Sequence, residues 1–325
     1  MNIGLTYDLR SDYLKEGFGE IATAEFESED TIDGVEENIR RLGHHTERIG
    51  NANSLMRALT AGRRWDLVFN LCEGMYGFGR EALVPALLES FQIPYTFSDP
   101  LVLALALHKG AAKRCVRDLG VPTPEFTVVE DADDLSRVNL PFPLFAKPVA
   151  EGTSKGIDAS CKIDSKDALR EVCLRLLREF REPVLVEGFL PGREFTAGVV
   201  GTGRDAEFIG VMEVILKPAA EPNAYSFINK ENYDELVEYR LVGTGIREAC
   251  EAVVLPVWRG LGCRDAGRVD LKMNGDGQVQ FLEINPLAGL NETRSDLSIL
   301  CRMNGMDYPE LIERIIQSAK KRMAA

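Results

Sequence analysis

Residues 268–285 read RVDLKMNGDGQVQFLEIN. The NGDG at 274–277, set between two runs of strand character, is the clearest hairpin turn in the chain. Side chains two apart on a strand share a face, so Arg268 sides with Asp270, and Glu283 with Asn285. Val269, Leu271, Phe281 and Leu282 supply the apolar side. Three oxygen-bearing side chains, Asp270, Glu283 and Asn285, then converge across one hairpin. That donor set suits a hard Mg²⁺ ion, which takes carboxylates together with nucleotide phosphates. An ordinary solvated hairpin face is the plainer reading. Asn285 before Pro286, and Glu283 amid apolar neighbours, weigh against it.

Two stretches upstream carry related chemistry. In AKPVAEGTSKGI (146–157) a strand delivers Lys147 into a loop of small residues, Gly152, Thr153, Ser154 and Gly156. Such a loop leaves backbone N–H groups free to wrap phosphate oxygens, and the lysine supplies counter-charge. There is no GxxxxGK[ST], so this is not a Walker A loop, and an ordinary surface turn is the alternative. In VLVEGFLPGREF (184–195) Glu187 ends a strand and Phe189 follows it, a pairing that can receive a base or ribose. A solvated or capping glutamate is the commoner explanation of that motif taken alone.

Further out, the first segment alternates strand and helix. A strand opens the chain, a helical period runs over 31–43, polar/apolar alternation over 46–49, a helix over 53–61, and the strand WDLVFNL over 65–71. This order predicts a parallel α/β unit. A helix at 82–90, a strand IPYTF at 93–97 and one helix over 100–119, closed by Gly120, follow. VLVEGFL (184–190) and EFTAGVVG (194–201) read as neighbouring strands turning at Pro191-Gly192. Helices are expected at 246–260 and 308–322. Three segments result: an N-terminal α/β segment 1–98, a central segment 99–184 with the phosphate loop, and a C-terminal segment 185–325 with the metal and ligation site.

Composition narrows the function. The 325 residues include 38 Lys plus Arg against 51 Asp plus Glu, a formal charge of −13. Such a balance repels a phosphate backbone and argues against a nucleic-acid binder, while a few local lysines still suffice for one nucleotide. No run of 18 apolar residues exists and LVLALAL (101–107) is too short to span a bilayer, so no membrane partner is expected. The N-terminus lacks a secretory pattern. The seven scattered cysteines, without a CxxC pair, read as reduced residues of a cytoplasmic protein. The three histidines lack zinc-site spacing.

Taken in order, IPYTFSDP (93–100), LHKGAAKRCVRDLGVPTP (107–124), FPLFAKPVAEGTSKGI (142–157), VLVEGFLPGREFTAGVVG (184–201) and RVDLKM…FLEINPLAGL (268–290) resemble the ATP-grasp superfamily, and within it the D-alanine–D-alanine ligase family. The resemblance implies an ATP-grasp fold behind an N-terminal parallel α/β domain. It also implies an ATP-dependent carboxylate–amine ligase working through an acyl phosphate, with ATP and two Mg²⁺ ions (Mn²⁺ as an alternative). Lys109 and Lys147 would contact the phosphates, and Glu151, Thr153, Ser154 and Gly156 would close over them. Glu187 and Phe189 would flank the adenine, and Glu194 would bind the ribose. Asp270, Glu283 and Asn285 would ligate the metal. Arg268 would stabilise the acyl phosphate and the tetrahedral intermediate, Lys230 would reach the γ-phosphate from a closing loop at 217–235, and Gly289 and Leu290 would offer backbone N–H groups to the second substrate. Substrates would be small amino-acid-like molecules, and a homodimer is expected by the same resemblance.

The departures cluster where the family reads its amino acids. The Gly-Gly-x-Ser turn with its amine-holding glutamate becomes TYDLRSDYL, with Asp8 or Asp12 as the replacement carboxylate. The family's His-Gly and Gly-Glu-Asp-Gly become Glu73-Gly74 and Gly77-Phe78-Gly79-Arg80, and its carboxylate-binding Ser-Leu becomes Arg294-Ser295. Arg80 and Arg294 could clamp a substrate carboxylate, and Glu73 favours an amine; structural ion pairs are the alternative. Two rival functions remain open on sequence grounds: a catalytically silent ATP-binding sensor or scaffold, and an ATP-grasp ligase for a different amino acid, peptide or polyamine.

Overall fold

The computed structural model describes residues 1–323, so the last two residues of the segment 185–325 lie outside it. The N-terminal elements are β1 (Asn2–Tyr7), α1 (Arg10–Lys15), α2 (Glu29–Arg41), β2 (His45–Gly50), α3 (Ala52–Thr60), β3 (Leu67–Leu71) and α4 (Leu83–Ser90). The strands form a parallel sheet in the order β2-β1-β3, the α/β unit that the alternation of elements requires. In α2 the buried residues Ile32, Val35 and Ile39 recur at helical spacing, so one stripe of the helix meets the sheet.

Two helices, α5 (Pro100–Leu107) and α6 (Lys109–Asp118), stand where a single one was expected. His108 breaks them apart with a ψ of 90°, and its ring nitrogen accepts the Ala111 N–H at 3.2 Å, starting α6 afresh. Gly120 has φ +73°, a left-handed exit that glycine adopts without a Cβ clash. The expected strand IPYTF shrinks to a single bridge, Val68 to Tyr95. Pro94 has no N–H to give a ladder, and Phe97 leaves the extended region with φ +70°.

The remaining elements are β4 (Phe126–Val129), β5 (Leu144–Pro148), β6 (Lys162–Ile163), α7 (Lys166–Phe180), β7 (Val184–Gly188), β8 (Glu194–Val200), β9 (Glu207–Leu216), α8 (Phe227–Glu231), α9 (Tyr233–Leu236), β10 (Val237–Leu241), α10 (Thr244–Leu261), β11 (Ala266–Met273), β12 (Val279–Asn285), α11 (Asp296–Met303) and α12 (Tyr308–Met323). They build two antiparallel sheets, β4-β7-β5-β6 and β10-β9-β8-β11-β12. β7 and β8 are therefore not partners. β7 lies between β4 and β5, β8 lies between β9 and β11, and Pro191-Gly192 carries the chain from one sheet to the other. The Gly192 N–H bonds the Met273 carbonyl at 3.0 Å, and a Cβ there would meet the same carbonyl oxygen at 2.7 Å, so this crossing needs glycine. The expected boundary at 184 falls on the first residue of β7.

The three largest apolar cores tie these layers together. One lies under α7 and the four-stranded sheet, with Val129, Leu144, Val172, Leu176 and Val186. A second joins α6 and α10 to the five-stranded sheet around Trp258 and Phe281. The third runs from Leu5, Val35 and Phe69 in the N-terminal unit to Leu290, Leu297, Leu311 and Ile315 near the C-terminus. That continuity places the hairpin β11–β12 beside the N-terminal sheet, with a cavity of about 300 Å³ between them.

Candidate active site

In β11 and β12 the register opposes Arg268 to Asn285 and Asp270 to Glu283, so all four side chains share one face. The strand order puts β8 on the other side of β11, where Thr196 donates to Asp270. The Asn285 amide donates to Asp270 at 3.2 Å, and Arg268 makes a close ion pair with the same carboxylate. Burial pushes the Asp270 carboxyl up against the pull of Arg268. Glu283 behaves oppositely. Burial opposes its ionisation, yet Lys109, Lys147, Arg268 and Lys230 together hold it down at about 2. Lys109 comes nearest, at 3.5 Å.

These cations arrive from separate elements. Lys109 opens α6 and donates to the Glu151 carbonyl at 2.6 Å. Lys147 ends β5, buried, with its ammonium 3.0 Å from Glu187. Glu187 also pairs with the fully buried Lys113 at 2.8 Å, and Lys113 donates to Thr123 at 2.8 Å. Lys230 ends α8 and lies 3.6 Å from Asp296, which accepts the Tyr239 hydroxyl at 3.0 Å and sits 3.9 Å from Arg268.

The phosphate-loop residues form a tight reversal, with φ +48° at Thr153, +58° at Ser154 and +75° at Gly156. A Cβ on Gly156 would meet Pro148 and Phe180 at 2.7 Å. Ser154 donates to the Tyr225 carbonyl at 2.8 Å, which ties this loop to the 217–235 segment. Glu151 pairs with Lys155. Beside the loop is a narrow slot of about 70 Å³ lined by Phe145, Glu187, Phe189, Leu190, Glu194 and Leu282. Glu194 at its edge pairs with Lys272 at 2.8 Å.

The amino-acid side of the cavity differs from the sequence expectation. Asp8 is buried, accepting the Tyr13 hydroxyl and the Gly74 N–H, and Asp12 pairs with Lys15 on the surface. Neither lines the cavity. Glu25 and Glu27 do, because the chain after α1 loops back and sets Leu9 against Glu27. Arg80 is not free to clamp a substrate: it pairs with Glu25 at 3.1 Å and donates to the Ala150 carbonyl at 2.9 Å. Arg294 pairs with Asp30 at 2.9 Å on the rim. Glu73 faces the cavity, joined by Glu81. Gly289 lines it too, whereas Leu290 is buried and does not. Sequence reading missed Glu25, Glu27, Glu81, Lys113, Lys155 and Asp296. Only the acidic stretch after Ala24 offered a signal, and it carries no spacing that singles out one residue.

Asp270, Glu283 and Asn285 form an oxygen-only donor set on one face of the hairpin, and that donor chemistry fits a hard cation. Among the described residues no three His, Cys, Asp or Glu side chains come together as a metal cluster by themselves. Nor is any described helix long and apolar enough to cross a membrane.

Residues 115–317 match the family model described as D-ala D-ala ligase C-terminus. The chain is 32% identical over 284 residues to a D-alanine–D-alanine ligase of Aquifex aeolicus, covering 87% of this chain and 92% of the relative. It is 31% identical to that of Bordetella avium, covering 90% of each. Its fold matches the crystal structure of the Bacillus anthracis D-alanine–D-alanine ligase complexed with ATP, with a TM-score of 0.74 and 21% identity, covering 100% of this chain and 99% of that one. The α/β architecture with its two antiparallel sheets is thus the ATP-grasp fold. The chain belongs to the D-alanine–D-alanine ligase family and is an ATP-dependent ligase that forms a peptide bond.

Proposed function

We propose that this ligase joins two small amino-acid-like substrates through an acyl phosphate in the cavity between β11–β12 and the N-terminal sheet. The observation that carries this is the convergence of Lys109, Lys230 and Arg268, from three separate elements, on one cavity with Glu283, Lys109 lying 3.5 Å from that carboxylate. Such a field suits a triphosphate and the charge that develops as its last phosphoryl group leaves.

The substrate carboxylate oxygen attacks the γ-phosphorus and the bond to ADP breaks. The amine of the second substrate then attacks the carbonyl carbon, expelling phosphate. Lys109 and Lys147 hold the phosphates, the Glu151–Gly156 loop covers them, and the slot at Phe189 and Glu194 takes the base and ribose. Arg268 faces the developing oxyanion, with the Gly289 backbone beside it. Lys230, on a segment tied to the phosphate loop through Ser154 and Tyr225, closes the reacting centre from water. Mg²⁺, held by Asp270, Glu283 and Asn285, would supply charge neutralisation at the phosphates. Seven free cysteines are consistent with work in the cytoplasm.

Purified protein with ATP, Mg²⁺ and an amino-acid panel should release ADP and phosphate, with a ligated product visible by mass spectrometry. Lys147→Ala should abolish turnover. Full activity in that variant would remove the phosphate assignment, and ATP binding without turnover on any pair would favour a silent sensor.

A further inference from the structure

Four glutamates, Glu25, Glu27, Glu73 and Glu81, line the N-terminal wall of the 300 Å³ cavity, opposite Lys109, Lys230 and Arg268. Their circumstances differ. Glu25 is neutralised twice, by Arg80 at 3.1 Å and Lys155 at 3.3 Å, and it also accepts the Gly152 N–H. Despite burial, its carboxyl is held below the ordinary range. Glu27, Glu73 and Glu81 have no ion-pair partner among the described residues.

Half-buried carboxylates without a paired counter-charge are costly, and the carboxyls respond. Burial, reinforced by Glu81 and Glu25, pushes Glu73 well up. It pushes Glu81 to about 8 despite Arg80, and Glu27 to about 7. Among the described residues no three acidic, His or Cys side chains come together to hold one metal ion, so the wall offers separate carboxylates rather than a metal cage. A point cation therefore does not match them. Positive charges separated along an organic chain do.

We propose that the substrate seated on this wall carries two ammonium groups, as a diamino acid or a short diamine does, and that Glu73 and Glu81 select it over a molecule of similar length that lacks the second ammonium. This rests on the ligase reading above. The opposite wall of Lys109, Lys230 and Arg268 repels those ammoniums and keeps the carboxylate and phosphate end of the reaction on its own side. Glu25, already saturated, serves to hold the phosphate loop against the N-terminal unit.

The test uses the whole protein with ATP, Mg²⁺ and alanine of either hand as partner. Lysine, ornithine and 2,4-diaminobutyrate form one arm and putrescine another, each against an analogue that lacks the second ammonium, norleucine or butylamine among them. We expect kcat/KM at least about tenfold higher for the dication, each tenfold being about 1.4 kcal/mol; the arm that responds tells diamino acid from diamine. The double variant Glu73→Gln with Glu81→Gln, or each single change should the double not fold, is expected to erase most of that preference while the KM for ATP stays within about twofold. Equal or better turnover of the one-ammonium analogues overturns the inference and leaves the ligase reading standing, as does a preference that survives both changes. If no pair yields ADP, the ligase reading fails instead. Calorimetric binding of putrescine against butylamine, with and without the substitutions, then decides the inference: dication binding about tenfold tighter and lost in the variant supports it, and equal binding overturns it.

Discussion

Glu187 lies between two buried lysines, 2.8 Å from Lys113 and 3.0 Å from Lys147, and it is only 2% exposed. Replacing it by Gln removes the shared anion while keeping shape and volume. Breaking a buried pair from one side costs about 3–5 kcal/mol, because the partner charge stays uncompensated. Lys113 can relieve part of this by shedding its proton, since burial already lowers it to about 8 even with Glu187 pulling it up. Taken as one cooperative unit of 325 residues, at about 2.1 cal/mol/K per residue, the unfolding entropy is roughly 0.7 kcal/mol/K. The expected fall in Tm is therefore about 4–7 °C. Calorimetry and urea melts at pH 7 read it directly. A second variant makes the reasoning exposed to failure: adding Lys113→Met to Glu187→Gln removes one stranded charge and should recover part of the loss. If Glu187→Gln stays within about 1 kcal/mol of the native protein, or the double variant is no more stable than the single, the triad does not act as described.

Other consequences can be measured separately. Glu283→Gln removes the anion that Lys109 meets at 3.5 Å and one of the three metal-binding oxygens, and should cut ADP release at least about 100-fold while the circular dichroism stays native. Gly152→Ala puts a Cβ 2.3 Å from a Glu25 oxygen, so the loop or the glutamate must shift; a loss of about 1–3 kcal/mol and a higher KM for ATP are expected, and an unchanged KM would count against the loop assignment. Lys113 has a folded value of about 8 against an ordinary 10.5, so the unfolded chain binds more protons between those values and stability attributable to Lys113 rises with pH there. The native protein should accordingly gain about 3 kcal/mol relative to Lys113→Met between pH 7 and 10.5, read as the difference between two urea series.

What the sequence disclosed followed the range of the interactions involved. The β11–β12 hairpin is local: turn chemistry and a period of two place Arg268, Asp270, Glu283 and Asn285 on one face without reference to the rest of the chain. Lys147 and its small-residue loop are local for the same reason. Glu25 escaped notice because its partners Arg80, Lys155 and Gly152 lie 55 to 130 positions away, and nothing in the spacing of one acidic stretch reports them. Asp296 likewise gains meaning only when Lys230 and Arg268 are brought to it. The apparent pairing of the 184–190 and 194–201 strands failed on an ambiguity: a Pro-Gly turn between two apolar runs serves a crossing between sheets as well as a hairpin.

The apolar core shared by the two ends of the chain bears on how this protein is made. Leu71 closes the last strand of the N-terminal sheet, while Leu290, Leu311 and Ile315, which cover that sheet's core, come more than 200 residues later. At about 5–20 residues per second, the 219 residues from Leu71 to Leu290 take roughly 10 to 45 s to synthesise. For that interval the N-terminal unit is on the ribosome with α2 on its sheet but the rest of that shared core open to water. The nascent chain is at its stickiest in the middle of translation, and a holding chaperone or a pause after residue 71 should affect the yield of soluble protein more than any change near the nucleotide slot.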